Sequence, residues 1–444
     1  MQTTLVLVDG EHHPPVTRQA IERAQEAGHL VVAALLVGGT EKLGEGELPD
    51  LGVPVTALVG RLMPGVAAAI AEHRPATVLD LSDEPVLGYR ERMQVAAAVL
   101  AAGVVYEGPD FTLRPPPMER PPAGLPTLAV IGTGKRSGKT AIAGDVARRA
   151  ITAGLRPVIV AMGRGGPEEP SFVEAGTVTL ATLRALAREG GHAASDYLED
   201  AITTGAATVG ARRAGGGLAG APYTSNVVAA LSLAAAHEPD LAIVEGSGAA
   251  IPPIAWDAGI LVVPATCPVE YLTGYLGPYR LLRTDVAIVI MAGGPVPGSE
   301  DPSLTSHLRD ALGDARVVVT DLTPMPLADV AGRDVFLATT APDLVAERQA
   351  ASLAENQGCR VVGWSNRLAD RRGLVVDLDA AGPYDVLLTE LKAAAIDVAS
   401  ERALAAGAEV VFVDNRPVMR DEGADLATTV LGVIELARER SRLR

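Results

Sequence analysis

The stretch AVIGTGKRSGKTAIAG, residues 129–144, joins an apolar run to a glycine-rich turn and then to small residues that suit a helix start. Within it, SGKT places Lys139 and Thr140 directly after Gly138. In a P-loop, backbone N–H groups surround nucleotide phosphates, a lysine contacts the terminal phosphates, and a Ser or Thr hydroxyl binds Mg²⁺. The order of strand, loop and helix predicts a P-loop here, with an ordinary glycine-rich turn as the alternative.

One position departs from the usual P-loop pattern, which has a glycine five residues before Gly138. Thr133 occupies that position, with Gly132 and Gly134 on either side. The departure affects the entry to the loop and leaves the phosphate-binding end intact. We therefore predict that one continuous run binds the nucleotide: Gly132, Thr133, Gly134, Lys135, Arg136, Ser137, Gly138, Lys139 and Thr140.

A nucleotide site also needs a carboxylate for its metal ion, usually at the end of a neighbouring apolar strand. The segment LAIVEGSGAAIPP, residues 241–253, places Glu245 in such a position and follows it with glycines. A plain turn residue is the alternative interpretation. We expect Thr140 and Glu245 to bind Mg²⁺, and we expect four residues to act in catalysis: Lys135, Arg136, Lys139 and Glu245.

Apolar runs alternate with helical segments along the whole chain, which predicts an α/β protein with a P-loop NTPase-type parallel sheet core and an additional N-terminal α/β domain. The proline-rich segment RPPPMERPPAGLP, residues 114–126, fixes too many φ angles to continue either element. We expect it to be a linker. The predicted domains are a substrate-binding domain over 1–113, a nucleotide-binding core over 127–300, and a C-terminal α/β region over 301–444 that either continues the core sheet or forms a third domain.

The composition limits the partners. The protein has a formal net charge of -16 over 444 residues. This charge opposes a broad surface for binding nucleic acid or anionic membranes, because both ligands are negatively charged and would be repelled at long range. Two cysteines far apart give neither a disulfide framework nor a thiolate metal site. The N-terminal sequence lacks the basic and apolar regions of a signal peptide. We expect a cytoplasmic protein that acts on a small phosphorylated molecule and binds neither nucleic acid nor membrane.

Lysine is scarce in this chain. It occurs only at positions 42, 135, 139 and 392, whereas the chain has 38 Lys and Arg residues in total. A compact ammonium group is therefore an informative choice at Lys392, just beyond an apolar run. Together with groups at strand ends and paired arginines, it forms the predicted substrate-binding set, for which solvated surface charge is the alternative: Asp9, Glu11, His12, His13, Arg90, Arg164, Arg212, Arg213 and Lys392.

Four segments together resemble the cyclic 2,3-diphosphoglycerate synthetase family: LVDGEHHPPVTR, VIGTGKRSGKTAIAGDVARR, VEGSGAAIPP and TELKAAAIDVA. The resemblance extends along nearly the whole chain. In this family the unusual first loop position is normal, so the resemblance implies that Thr133 is compatible with a working P-loop. It further implies an ATP-dependent enzyme that closes 2,3-diphosphoglycerate into a cyclic pyrophosphate and releases ADP and phosphate.

Three other functions stay open from the residues alone. A kinase of 2-phosphoglycerate or a related small acid would use the same loop. A nucleotide-switch ATPase would typically carry a signature lysine at the second loop position, which here is Gly134. A nucleotide-binding regulatory module without catalysis is less compatible with Thr140 and Glu245 together. The sequence does not fix the oligomeric state, and a homodimer is one expectation.

Overall fold

The structure of the protein is a computed structural model that describes residues 2–39, 48–291, 302–420 and 424–444. Lys42 and the expected boundary at residue 300 lie outside the described residues. Contacts divide the chain into two compact units. The first comprises Met1–Pro117, Leu218–Gly220 and Pro268–Arg283, and the second comprises Met118–Gly217, Ala221–Cys267 and Thr284–Arg444.

The first unit contains a six-stranded sheet in the order β3-β2-β1-β4-β5-β6. Neighbouring strands are parallel except that β6 runs antiparallel to β5. Residues 5–8 of the central strand are entirely apolar and buried, as expected for a parallel strand covered on both faces. The elements are β1 (Gln2–Val8), α1 (Pro14–Glu26), β2 (His29–Leu36), β3 (Val55–Ala57), α2 (Leu62–His73), β4 (Thr77–Asp80), α3 (Tyr89–Ala101), β5 (Val105–Gly108) and β6 (Phe111–Leu113).

The second unit begins with the P-loop core. The strand β7 is wholly buried, and the helix after the loop packs small and branched residues such as Ile142 and Val146 against the sheet. The elements are β7 (Thr127–Gly132), α4 (Lys139–Thr152), β8 (Pro157–Gly163), β9 (Ser171–Val173), α5 (Leu180–Arg188), α6 (Asp196–Thr204), β10 (Ala207–Ala214), β11 (Thr224–Ser225), α7 (Val227–Ala235), β12 (Leu241–Glu245) and β13 (Ala258–Pro264).

The crossover after β13 carries two short helices, α8 (Glu270–Thr273) and α9 (Gly277–Leu282), which belong to the first unit, where α9 packs against α3. The chain then returns to the second unit. Its remaining elements are β14 (Val286–Met291), α10 (Pro302–Leu312), β15 (Val317–Pro326), β16 (Asp334–Ala338), α11 (Asp343–Gln357), β17 (Arg360–Ser365), α12 (Arg371–Ala380), β18 (Val386–Thr389), α13 (Ser400–Ala405), β19 (Glu409–Met419) and α14 (Leu426–Leu443).

One 13-stranded sheet runs through the second unit in the order β11-β10-β8-β12-β7-β13-β14-β15-β19-β18-β16-β17, with β9 paired to β10. The C-terminal strands therefore continue the core sheet. The strands from β10 to β15 are mutually parallel, and so are those from β19 to β17. The antiparallel pair β15–β19 joins these two groups, so they point in opposite directions.

The architecture confirms the predicted P-loop-type parallel core and the additional N-terminal α/β domain. The sequence does not predict five short or charged strands: β5, β6, β9, β10 and β11. The strand β10 ends in two arginines and precedes a glycine-rich segment, which obscures its apolar pattern. None of the helices that the structure describes is long and apolar enough to cross a membrane.

Candidate active site

A cavity of about 920 Å³ lies within the second unit. On one side it is lined by the loop after β7 and by the ends of β8 and β12. On the other side it is lined by the segments that follow β16 and β18, and residues 413–415 of β19 lie between the two sides. Carboxyl ends of parallel strands from both groups therefore meet at one cavity, which is the usual place for ligands in α/β sheets.

The loop after β7 is organised around the side chain of Lys139. This side chain is only 6% exposed, and its Nζ donates hydrogen bonds to the carbonyl oxygen of Gly134, at 2.9 Å, and to Oγ of Ser137, at 3.0 Å. Gly138 has a φ of +89°, a conformation that glycine adopts without steric cost. Arg136 has a φ of +59°, which is uncommon for a residue with a Cβ and typical of functional loops. The chain is thus bent back so that the lysine folds over its own loop.

Gly132 explains why the loop tolerates threonine at the next position. A Cβ added at Gly132 would lie 2.5 Å from Oγ of Ser137 and 3.2 Å from two carbons of the Lys139 side chain. At Gly134 an added Cβ would meet nothing within 4 Å. The position that requires a residue without a side chain is therefore the last residue of β7, where the loop closes on itself, whereas Thr133 is half-buried.

Thr140 and Glu245 meet at the cavity. Oγ1 of Thr140 donates to Oε1 of Glu245 at 2.8 Å, whereas Oε2 of Glu245 is buried and has no hydrogen-bond partner among the described residues. Burial, followed by the negative charge of Asp196, raises the pKa of Glu245 to about 8. The unsatisfied carboxylate oxygen beside a threonine hydroxyl fits a hard cation, which would restore the charge balance of this buried group.

The donor set suits Mg²⁺ better than a metal held entirely by protein. No group of three or more His, Cys, Asp or Glu side chains among the described residues could hold a metal ion. Mg²⁺ usually keeps several waters and takes one or two protein oxygens together with substrate phosphates. Burial also lowers the pKa of Lys139, although Glu245 opposes the effect, so the lysine and the carboxylate form one electrostatic unit.

Further cations converge on the same side of the cavity. Lys135 and Arg136 are exposed and line the cavity, and neither forms an ion pair with a described residue. Arg164 also lines it. A Cβ added at Gly248 would lie 2.6 Å from a guanidinium nitrogen of Arg164 and 3.4 Å from one of Arg213. Two arginines predicted from separate segments therefore meet over the loop that follows Glu245.

Arg213 is held in place by the backbone. Its guanidinium donates to the carbonyl oxygens of Gly215 and Ser247, both at 2.7 Å. Burial and the neighbouring Arg164 lower the pKa of Arg213. Arg212, the adjacent residue of β10, points elsewhere and pairs with Glu168 at 3.4 Å on the surface. Only one member of this predicted arginine pair therefore approaches the cavity.

The opposite side of the cavity carries Lys392, which lies close to acidic groups that the sequence analysis did not select. Nζ of Lys392 lies 3.2 Å from Oε2 of Glu199, and Glu390 lines the cavity nearby. Oγ1 of Thr339 and Oγ1 of Thr340 donate to the carboxylate of Glu390 at 2.7 and 2.8 Å. Asp196 and Arg371 also line the cavity.

The predicted groups of the N-terminal domain lie in the first unit. Asp9 accepts hydrogen bonds from the backbone N–H groups of Glu11, His12 and Asp83 and lies 2.8 Å from Nδ1 of His12. Burial would raise the pKa of Asp9, but these hydrogen bonds outweigh it and lower the pKa. The carboxylate of Asp9 therefore organises the loop after β1. His13 and Arg90 are exposed, whereas Glu11 and His12 are half-buried.

Comparison with known proteins assigns the family. Three family models match: the cyclic 2,3-diphosphoglycerate synthetase N-terminal domain over residues 3–114, its P-loop domain over 127–320 and its C-terminal domain over 326–416. The hydrogenase maturation factor HypB from Archaeoglobus fulgidus, a solved structure, matches 45% of this chain and 82% of its own at 15% identity, with a TM-score of 0.29, and supports no argument here.

Two curated relatives match almost end to end, and both are named cyclic 2,3-diphosphoglycerate synthetase. The protein from Rubrobacter xylanophilus is 46% identical over 99% of this chain and 98% of its own length. The protein from Methanothermobacter thermautotrophicus is 40% identical over 98% of this chain and 97% of its own. The chain therefore belongs to the cyclic 2,3-diphosphoglycerate synthetase family.

Proposed function

We propose that this protein catalyses the ATP-dependent, intramolecular cyclisation of 2,3-diphosphoglycerate to cyclic 2,3-diphosphoglycerate, with release of ADP and phosphate. The observation that carries the proposal is that the cavity at the P-loop contains cationic side chains in addition to that of Lys139. The same chain matches all three domain models of the family. Two phosphate groups of one substrate, in addition to those of ATP, require such an excess of positive charge.

The reaction needs activation because two phosphate monoesters repel each other and form no anhydride unaided. In the first step, an oxygen of one substrate phosphate attacks the γ-phosphorus of ATP, and the bond from γ-phosphorus to ADP breaks. In the second step, an oxygen of the other substrate phosphate attacks the inner phosphorus of the new diphosphate, and inorganic phosphate leaves as the ring closes. Ring closure within one bound molecule gains up to about 7–11 kcal/mol over a bimolecular reaction in favourable cases.

Three groups near the P-loop take roles in this chemistry. Lys139 contacts the terminal phosphates of ATP once they displace its bonds to Gly134 and Ser137. Thr140 and Glu245 hold Mg²⁺, which when bound neutralises charge on the transferring phosphates. No covalent protein nucleophile is required, so positioning and charge neutralisation account for catalysis.

Lys135 and Arg136 are proposed to contact the substrate phosphates or the transferring phosphoryl group. Both are exposed in the cavity and have no described ion-pair partner, so they are available to an anion. Arg164 and Arg213 extend the same positive region over the loop after β12. His12, His13 and Arg90 stay predictions of the sequence for the N-terminal domain.

Phosphorus NMR tests the proposal directly. The protein is incubated with Mg-ATP and 2,3-diphosphoglycerate, and we expect a ring pyrophosphate signal together with equal amounts of ADP and inorganic phosphate. A kinase would give a phosphorylated product without inorganic phosphate. A nucleotide-switch ATPase would release phosphate without 2,3-diphosphoglycerate, so either pattern would contradict the cyclase.

Lys139→Ala provides the negative control for this assay, because it removes the phosphate-binding ammonium from the same cavity. Arg402→Ala is the matched positive control. Arg402 forms a surface ion pair with Asp379 at 3.1 Å and is not among the residues that line the described cavity. Product formation by Arg402→Ala at the unsubstituted rate, and by Lys139→Ala not at all, would assign the reaction to the P-loop.

A further inference from the structure

The far side of the cavity is built by the C-terminal strands. The antiparallel pairing of β15 with β19 runs from Thr320 opposite Met419 to Pro326 opposite Val413. On the other edge of β19, Thr389 at the end of β18 lies opposite Phe412. Because the two parallel groups point in opposite directions, the segment after β18 opens into the same cavity as the P-loop, and Lys392 lies on that segment.

Lys392 is a charged group in this position. Burial works to lower its pKa, but the carboxylates of Glu199 and Glu390 outweigh burial and raise the pKa. Its side chain is 41% exposed and that of Glu199 is 23% exposed, so both reach the water of the cavity. Lys392 is therefore a cation that a ligand in the cavity can reach.

Glu199 and Glu390 are anchored differently. Glu390 accepts hydrogen bonds from the hydroxyl groups of Thr339 and Thr340, which fix its carboxylate to the loop after β16. The side chain of Glu199 has only Lys392 as a described partner, at 3.2 and 3.4 Å. Burial raises the pKa of Glu199 despite that partner, so its negative charge is poorly solvated. Of these two carboxylates, Glu199 is consequently the one that an incoming anion can replace beside Lys392.

We propose that Glu199 is a positioning residue that occupies Lys392 until a phosphate of the acceptor substrate replaces it. The inference rests on the proposed function and adds the place of one acceptor phosphate, at the C-terminal side of the cavity opposite the P-loop. Glu199 offers Lys392 a single carboxylate charge, whereas a phosphate monoester is a dianion with three acceptor oxygens, so the phosphate competes for the ammonium. Glu199 thereby holds the ammonium in the cavity while no substrate is bound.

The test measures binding of two probes separately by calorimetry. The probes are 2,3-diphosphoglycerate and a non-hydrolysable ATP analogue, each with the full-length protein and MgCl₂. We expect Lys392→Ala to weaken 2,3-diphosphoglycerate binding about 10- to 100-fold, the range for losing a charge-assisted hydrogen bond, and to change ATP-analogue binding less than threefold. Lys392→Arg, which keeps the charge, should restore most of the loss.

Glu199→Gln gives the distinguishing result, since it removes the competing charge and keeps the shape. We expect it to strengthen 2,3-diphosphoglycerate binding about threefold or more and to lower KM while kcat changes little. Asp379→Asn is the matched control, because Asp379 pairs with Arg402 elsewhere in the C-terminal region. It should leave both affinities unchanged.

Three results would overturn the inference: Glu199→Gln weakening 2,3-diphosphoglycerate binding, Lys392→Ala weakening both probes equally, or Lys392→Ala weakening neither. A purely structural ion pair would instead lower the thermal midpoint and both affinities together in Glu199→Gln. Failure of the proposed function is separable, because the unsubstituted protein would then neither bind nor cyclise 2,3-diphosphoglycerate.

Discussion

Adding one methyl group at Gly132 should disable the P-loop. The new Cβ of Gly132→Ala would lie 2.5 Å from Oγ of Ser137, whereas ordinary van der Waals contact begins at 3.4 Å. The two groups must therefore separate by about 0.9 Å. Ser137 is 1% exposed, and two carbons of the Lys139 side chain lie 3.2 Å from the same added Cβ.

This displacement sets the expected magnitude. Lys139 hydrogen-bonds to Ser137, so moving one of them by nearly an ångström moves the ammonium that is proposed to contact the phosphates. A misplacement of about 1 Å costs roughly 100-fold in rate at a preorganised site. Overpacking of this kind also costs about 1–3 kcal/mol of stability. Gly132→Ala should therefore retain its fold while kcat falls about 100-fold.

A double substitution isolates the cause. Ser137→Ala deletes the clashing oxygen, so Gly132→Ala/Ser137→Ala should recover at least about tenfold of the lost rate relative to Gly132→Ala alone, a clear non-additivity between contacting residues. Rates are measured as ADP release, with thermal midpoints recorded in parallel. Gly134→Ala is the control for stability, because its added Cβ meets nothing within 4 Å. Additive losses in the double variant, or normal turnover by Gly132→Ala, would refute the steric explanation.

Three further predictions follow from side chains of the second unit. Glu245→Gln keeps the bond geometry near Thr140 but removes the charge, so Mn²⁺ binding followed by EPR with bound ATP analogue should weaken at least about tenfold, and an unchanged titration would exclude Glu245 as a ligand. Lys135→Ala and Arg136→Ala should each lower the cyclisation rate roughly 100- to 1,000-fold with much smaller loss of ATP affinity, and parallel modest losses would argue against substrate contact. Arg444→Ala leaves the buried carboxylate of Asp257 without its cation, at a cost of about 2–3 kcal/mol or a midpoint lowered by about 4–6 °C, and an unchanged calorimetric midpoint would contradict it.

The sequence predicts where the P-loop and the neighbouring strand ends lie, for local reasons. The P-loop residues are consecutive, so their arrangement follows from one turn between a strand and a helix. Glu245 is the last residue of one apolar strand and Arg164 directly follows another, and parallel strands bring their carboxyl ends to one edge. The roles of these side chains with bound ligands stay predictions.

The acidic groups beside Lys392 could not be found in this way. Glu199 lies on α6, whose sequence DYLEDAITT looks like any solvated helix with acidic residues at its start. Only the tertiary fold brings Glu199 within 3.2 Å of Lys392, 193 positions away in the chain. Such long-range placement leaves no signal in a single sequence.

Prolines hide the link between the two halves of the sheet. Pro324 and Pro326 end β15, and Pro417 lies within β19, so both segments resemble loops at the positions where they pair. In the structure these prolines occupy a ribbon beyond the reach of β14, which pairs only with residues 317–321. The C-terminal region therefore continues the sheet, although its sequence allows a separate domain equally well.

The ribbon formed by β15 and β19 also sets the distance between the two sides of the cavity. Beyond the last residue that pairs with β14, residues 322–326 of β15 extend about 17 Å at 3.4 Å per residue and separate the two groups of parallel strands. Because the facing ends of both strand groups belong to one hydrogen-bonded sheet, the length of the strands determines the spacing between them, and no flexible hinge is involved. Shortening the ribbon by one pair of residues on each strand would bring the opposing edges about 3.4 Å closer, so the width of the cavity depends on the number of residues in the ribbon.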